Sequence, residues 1–130
     1  MVTYSNFGSV PNGESALLMR QATHIVHKRH PEWIVDGEMQ ANIALDPGLS
    51  KQLFPFSKLA GHRANVLIFP NLSSANIAYN LMSNAAEMDV IGPVLLGLKK
   101  PVHILQLGAS VRQIVDMVGI AAIDAQAKMV

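Results

Sequence analysis

Three histidines, His24, His27 and His30, stand at i, i+3 and i+6 on a stretch with helical periodicity, so they are near neighbours on one helix face. Imidazoles at that spacing hold a metal only when a further ligand fixes the geometry. The chain has no cysteine, and Glu32 is the one adjacent carboxylate, so the trio reads as a solvated helix flank. Asp36 and Glu38 share one face of a predicted strand and make a possible acid pair. Two carboxylates divide acid and base roles only where their environments push their pKa values apart. Structural ion pairing is the simpler expectation. Gly92, Gly97 and Gly108 form neither a dinucleotide fingerprint nor a Walker loop. Gly108 does precede Ser110, and Ser110 with Gln113 makes a Ser-x-x-Gln capping box. Backbone amides at that helix start could face an anion, a weak signal common to many helices.

The elements that must position these residues follow from punctuation and periodicity. Val2 to Phe7 predicts a short strand, and Pro11-Asn12-Gly13 a turn. A helix begins near Ser15, with Leu18, Ala22, Ile25 and Val26 as its apolar stripe, and Pro31 ends it. Trp33 to Gln40 alternates as a strand. Asp46-Pro47 combines a capping carboxylate with proline at the first helical position, and that short helix closes before Pro55. Asn65 to Phe69 is a continuous apolar run of the kind found in buried parallel strands. Ser73 or Ser74 is expected to cap the next helix, with Ala78, Leu81, Met82 and Ala85 buried. Val90 to Leu96 and Val102 to Leu105 complete the strands, and a helix from Val111 to about Ala127 is apolar on most sides. The alternation predicts an α/β fold with a largely parallel sheet flanked by helices.

Composition narrows the function. Of 130 residues, 50% are hydrophobic and 15% charged, below the roughly 25% charged of an ordinary soluble domain. Mean hydropathy is +0.27, which excludes a disordered chain. The net charge of +1 is evenly spread, so no basic stripe exists to bind nucleic acid. Absence of cysteine excludes disulfides, thiolate metal sites and cysteine nucleophiles. The uncharged stretch from Ala64 to Ala86 is long enough to span a bilayer, but Pro70 and five asparagines argue against a membrane span. A cytoplasmic protein with apolar surface reserved for a partner is the expectation.

Five ordered motifs carry a resemblance. Thr3-Tyr4-Ser5-Asn6-Phe7-Gly8-Ser9, Val35-Asp36-Gly37-Glu38-Met39-Gln40, Asn65-Val66-Leu67-Ile68-Phe69-Pro70, Ile91-Gly92-Pro93-Val94-Leu95 and Pro101-Val102-His103-Ile104-Leu105-Gln106 together resemble the C-terminal part of the phosphate acetyl/butyryl transferase family. Tyr-Ser-Asn-Phe-Gly-Ser and Gly-Glu-Met-Gln are most similar to the version fused to the C-terminus of NADP-dependent malic enzymes. The resemblance implies a single partial module of a two-domain, isocitrate/isopropylmalate dehydrogenase-like fold. Residues 1–93 would belong to the second domain, and residues 94–130 would return toward the first.

By that resemblance, active members carry a Ser-Arg pair where this chain has Gln106 and Leu107. They carry an aspartate where it has Gln113, and tend to have a basic residue where it has Asn84. Gln113 accepts no proton at neutral pH, and losing a positioned base forfeits about 10²–10⁴ in rate. Leu107 donates nothing to an oxyanion, another factor of about 10²–10³. The implied function is regulatory: an acetyl-CoA-sensing, oligomerising domain of a malic enzyme that oxidatively decarboxylates malate to pyruvate. NADP and a divalent metal (Mg or Mn) would sit in other domains of that parent, and no cofactor or metal in this segment. The alternatives are a fragment of an active phosphate acetyltransferase and a ligand-free oligomerisation module. Gln106, Gly108, Ser110 and Gln113 are candidates to hold a carbonyl or phosphate. Lys99, Lys100 and Arg112 are the nearest cations for coenzyme A phosphates. The expected partners are acetyl-CoA or a related CoA ester, the rest of a malic enzyme chain and at least one further copy, with no nucleic acid and no membrane.

Overall fold

A computed structural model of the chain describes residues 1–86 and 89–127 and divides into two compact units, Met1–Asn80 and Leu81–Val130. The division falls inside a helix.

In the first unit, α1 (Glu14–Arg29) has an acidic first turn and a basic last turn, which suits the helix dipole. Its inward face is Ala16, Met19 and Thr23, while Leu18 and Ile25 of the expected stripe are half exposed. Two apolar stripes compete on this helix, and the winning rotation is the one that turns Arg20 toward buried Glu38. α2 (Ala41–Leu45), which the sequence did not signal, leads into α3 (Pro47–Leu53). α3 starts as predicted: Asp46 Oδ1 accepts from the Leu49 amide at 2.9 Å, with Pro47 in the first turn.

Val2, Met39, Ile43 and Ala44 form the core of this unit, with Phe7, Leu49, Phe54, Leu59, Ala64, Leu67 and Phe69 packed against it. Phe7, Phe54 and Phe56 add a cluster of tilted and edge-on rings 5.0–6.0 Å apart.

The expected parallel sheet is reduced to its minimum. Val2 and Met39 form one parallel bridge, and no strand is present among the described residues. The segment at 1–3 is nevertheless bonded on both sides. Thr3 N–H donates to Met39 C=O at 2.9 Å, Met39 N–H to Met1 C=O at 3.2 Å, and Val2 N–H to Ile68 C=O at 2.8 Å. The pairing stops because residues 5–9 curl into a turn and Gly37, at φ 141, bends the neighbouring segment. Along 65–69 the side chains alternate as a strand requires, Leu67 and Phe69 inward and Val66 and Ile68 outward.

α4 (Leu72–Ala85) is capped by Asn71, whose Oδ1 accepts from the Ser74 amide at 2.9 Å, so neither Ser73 nor Ser74 is the cap. None of its residues is buried, and Leu81 and Met82 of the expected stripe lie exposed. No other helix packs against α4 among the described residues, so its apolar face stays largely in solvent whatever its periodicity.

In the second unit, residues 90–105 form neither helix nor strand, bend at Gly97 and at Lys99–Lys100, and among the described residues make no backbone–backbone hydrogen bond. α5 (Val111–Ala127) has the predicted bounds, but only Met117 is buried. Its expected burial between layers is not found among the described residues. No helix among the described residues is long and apolar enough to cross a membrane. The uncharged stretch 64–86 is an extended segment followed by α4.

Candidate functional site

Residues 106–113 make a turn followed by a helix start. Ala109 N–H donates to Gln106 C=O at 3.2 Å, closing a four-residue turn whose third residue, Gly108, has φ 88. A positive φ at that position favours glycine, as in a type II turn. Leu107 projects fully into solvent at the tip.

Ser110 and Gln113 then satisfy each other. Ser110 N–H donates to Gln113 Oε1 at 2.9 Å, and Gln113 N–H to Ser110 Oγ at 3.2 Å. This is the predicted capping box, and it commits both side chains to the helix end. Arg112 is committed too. Its Nη2 lies 2.7 Å from Asp89 Oδ2, and its Nε 4.0 Å from Asp116 Oδ2. Lys99 and Lys100 are exposed, and no ion pair or hydrogen bond engages either among the described residues. Gln106 is exposed as well.

One residue that the sequence reading passed over stands three positions before Gln106. Both ring nitrogens of His103 are buried without a hydrogen-bond partner among the described residues. An imidazole always carries at least one N–H, so a donor goes unmet here. The signal was a lone polar residue inside the apolar run Val102-His103-Ile104-Leu105.

The acid pair in the first unit resolves into two separate anchors. The Glu38 side chain has 0% exposure and is surrounded by donors: Ser5 Oγ at 2.8 Å, the Gly8 amide at 2.7 Å, Arg20 Nε at 3.0 Å and Arg20 Nη2 at 2.9 Å. Burial alone would push its carboxyl up. The Arg20 hydrogen bond, then the Gly8 amide and the Ser5 hydroxyl, overcome that and hold it at about 2. Asp36 faces elsewhere, its Oδ2 accepting from Ser57 Oγ and the Lys58 amide, each at 2.7 Å. The two carboxylates share no hydrogen-bond partner. The Glu38 arrangement is a structural anchor.

The histidine face disperses in the same way. His27 Nε2 donates to Val35 C=O at 2.6 Å, His30 stacks on Trp33 with ring centres 4.0 Å apart, and His24 is exposed. His30 Nδ1 lies 3.5 Å from Glu32. No group of three or more His, Asp or Glu gathers among the described residues.

Comparison with known proteins agrees with the motifs. The family model described as phosphate acetyl/butaryl transferase matches residues 1–122. The chain is 44% identical over 127 residues to the NADP-dependent malic enzyme of Escherichia coli, covering 97% of this chain and 16% of that protein. It is 41% identical over 119 residues to the phosphate acetyltransferase of Helicobacter pylori, covering 92% of this chain and 23% of that one. Among solved structures, EutD phosphotransacetylase from Staphylococcus aureus superposes with a TM-score of 0.84 at 32% identity, over 98% of this chain and 38% of that chain.

Proposed function

The chain belongs to the phosphate acetyl/butaryl transferase family, and we propose that within it this domain senses a CoA ester and promotes assembly rather than transferring an acyl group. Its relatives include NADP-dependent malic enzymes at 41–44% identity, of whose length it spans 16%. The parent function proposed with it is oxidative decarboxylation of malate to pyruvate. NADP and a divalent metal would be handled by other parts of such a polypeptide.

One observation carries the reading. Where the family resemblance puts an arginine and an aspartate, Leu107 stands solvent-exposed and Gln113 spends its amide on the Ser110 cap. That turn keeps backbone amides and neutral side-chain donors such as Gln106, and at those two positions it has neither a cationic oxyanion donor nor a titratable base. A group that binds without reacting suits an effector site. Lys99 and Lys100 supply unengaged cations in the same unit, and His103 an unmet donor. Regulation further requires the CoA ester to bind two states of the assembly unequally.

A second reading, an active phosphate acetyltransferase segment, is supported by the 41% identity to the Helicobacter pylori enzyme. Mixing the protein with acetyl phosphate and coenzyme A separates the two. The sensor reading expects no acetyl-CoA to form, together with measurable heat on titration of acetyl-CoA. Turnover would favour the transferase, and absence of both signals would leave a ligand-free assembly module.

A further inference from the structure

The turn that leads into α1 holds two residues with chemistry of their own, Asn12 and Gly13. We propose that Asn12 is a site of spontaneous covalent modification, losing its side-chain amide through a cyclic imide closed by the Gly13 nitrogen. Solvent base takes the proton from the Gly13 amide, and that nitrogen attacks Asn12 Cγ. A new C–N bond forms, the bond from Cγ to Nδ2 breaks, and the amide leaves with a solvent proton as ammonia. Water then adds to either imide carbonyl and opens the ring. One opening gives aspartate at position 12, and the other gives isoaspartate, whose main chain runs through the former side-chain carbon. The sum is one water consumed, one ammonia released and one carboxyl group gained, with no change of oxidation state. At neutral pH that carboxyl is ionised and cancels the formal net charge of +1.

The structure sets this asparagine apart from the other seven in the chain. Asn12 is exposed in a turn, and neither its side chain nor the Gly13 N–H makes a hydrogen bond among the described residues. Both reacting groups are free to meet. The other asparagines are held or crowded. Asn6 Oδ1 accepts from the Gln40 amide at 2.7 Å, and Asn71 Oδ1 caps α4. Asn42 lies in α2, three more lie in α4, and Asn65 precedes the β-branched Val66. Each of the seven is followed by a side chain that obstructs ring closure, whereas Gly13 has none. Tertiary packing fixes that glycine. A Cβ at position 13 would collide with the Tyr4 hydroxyl and lie 2.9 Å from Tyr4 Cζ, so a larger residue fits only if the ring moves. The contact that keeps the glycine therefore keeps the labile pair. Gly13 is also the N-cap of α1, and no side chain caps that end. A carboxylate gained at position 12 arrives beside the positive end of the helix, next to Glu14.

The test ages the folded full chain in neutral buffer, follows every asparagine by peptide mass spectrometry and measures the ammonia released. Asn12 should convert at least about tenfold faster than any other asparagine, because the others react only after local opening. Isoaspartate, read by enzymatic methylation with protein-isoaspartate methyltransferase, should map to position 12. A free peptide of residues 9–17 gives the rate of the unrestrained pair, and the folded chain should stay within about tenfold of it. Asn12→Gln should remove the fast phase of ammonia release and leave urea stability unchanged. A folded rate more than about tenfold below that of the peptide would show that the turn shields the pair, and would overturn the proposal. So would a different asparagine reacting first, or ammonia release undiminished in Asn12→Gln.

Discussion

Arg20 Nη2 lies 2.9 Å from Glu38 Oε1, joining α1 to the segment that bonds with residues 1–3 across 18 positions of sequence. The carboxylate is wholly buried while the arginine keeps partial contact with solvent. Removing one partner of such a pair strands the other. Arg20→Ala should therefore cost on the order of 3 kcal/mol in urea unfolding, because it leaves a charged group buried and unpaired. Glu38→Gln should cost less, since an amide oxygen still accepts from Ser5 and Gly8. Equal losses for the two variants would contradict this account.

The same pair sets the acid limit of stability. The Glu38 carboxyl sits at about 2 in the folded chain, against an ordinary 4.5. A depressed carboxylate gives its full stabilisation above the higher value and loses it as pH falls through the lower one. Between pH 4.5 and 2 the unfolding free energy should drop by about 3 kcal/mol on this account. Denaturation midpoints measured across that range should fall steeply for the natural chain and less steeply for Glu38→Gln.

Two glycines should respond to alanine in opposite directions. At Gly37 a Cβ would lie 2.5 Å from the Met1 carbonyl oxygen, on a backbone with φ +141. Gly37→Ala must push that backbone away and break the bridge to residues 1–3, costing about 2 kcal/mol or more. Gly119, inside α5, has nothing within 4 Å of its Cβ position. Gly119→Ala should add up to about 1 kcal/mol of helix stability, read as a raised melting temperature.

Among the cations, effect on acetyl-CoA affinity should follow engagement. Arg112 is held by Asp89 at 2.7 Å, whereas Lys99 and Lys100 have no ion-pair partner among the described residues. Calorimetry should show a several-fold loss for Lys99→Ala with Lys100→Ala at low salt and a smaller one for Arg112→Ala. Both differences should shrink at about 1 M salt, where charges are screened within about 3 Å. A larger loss at Arg112 would place the phosphate contacts elsewhere.

Association should run through α5. Val111, Val115 and Val118 lie at i, i+4 and i+7, all exposed on a helix with one buried residue. A dimer through that stripe would bury on the order of 1,500 Å². Equilibrium sedimentation should find at least twice the 14.0 kDa chain mass at micromolar concentration, and Val115→Asp should lower it. A natural chain that stays at the single-chain mass throughout would refute the assembly role.

What the sequence determined by itself is chemistry that acts over three or four residues. Asp46 with Pro47, Ser110 with Gln113, and Pro31 after a basic turn each mark a helix end, and α1, α3 and α5 begin or stop where those residues require. Of the candidate site, the Ser110–Gln113 cap is the part legible in the sequence, because it is local. What only the tertiary structure decided is which face and which partner each element takes. α1 turned Ala16, Met19 and Thr23 inward and left Leu18 and Ile25 outside, since Glu38 needed Arg20. Asp36 and Glu38, one alternation apart on a predicted strand, went to Ser57 and Arg20 in different directions. The segments at 90–105 carry strand-like composition but no ladder among the described residues, because β pairing is a bond between distant backbones and a strand exists only where its neighbour does.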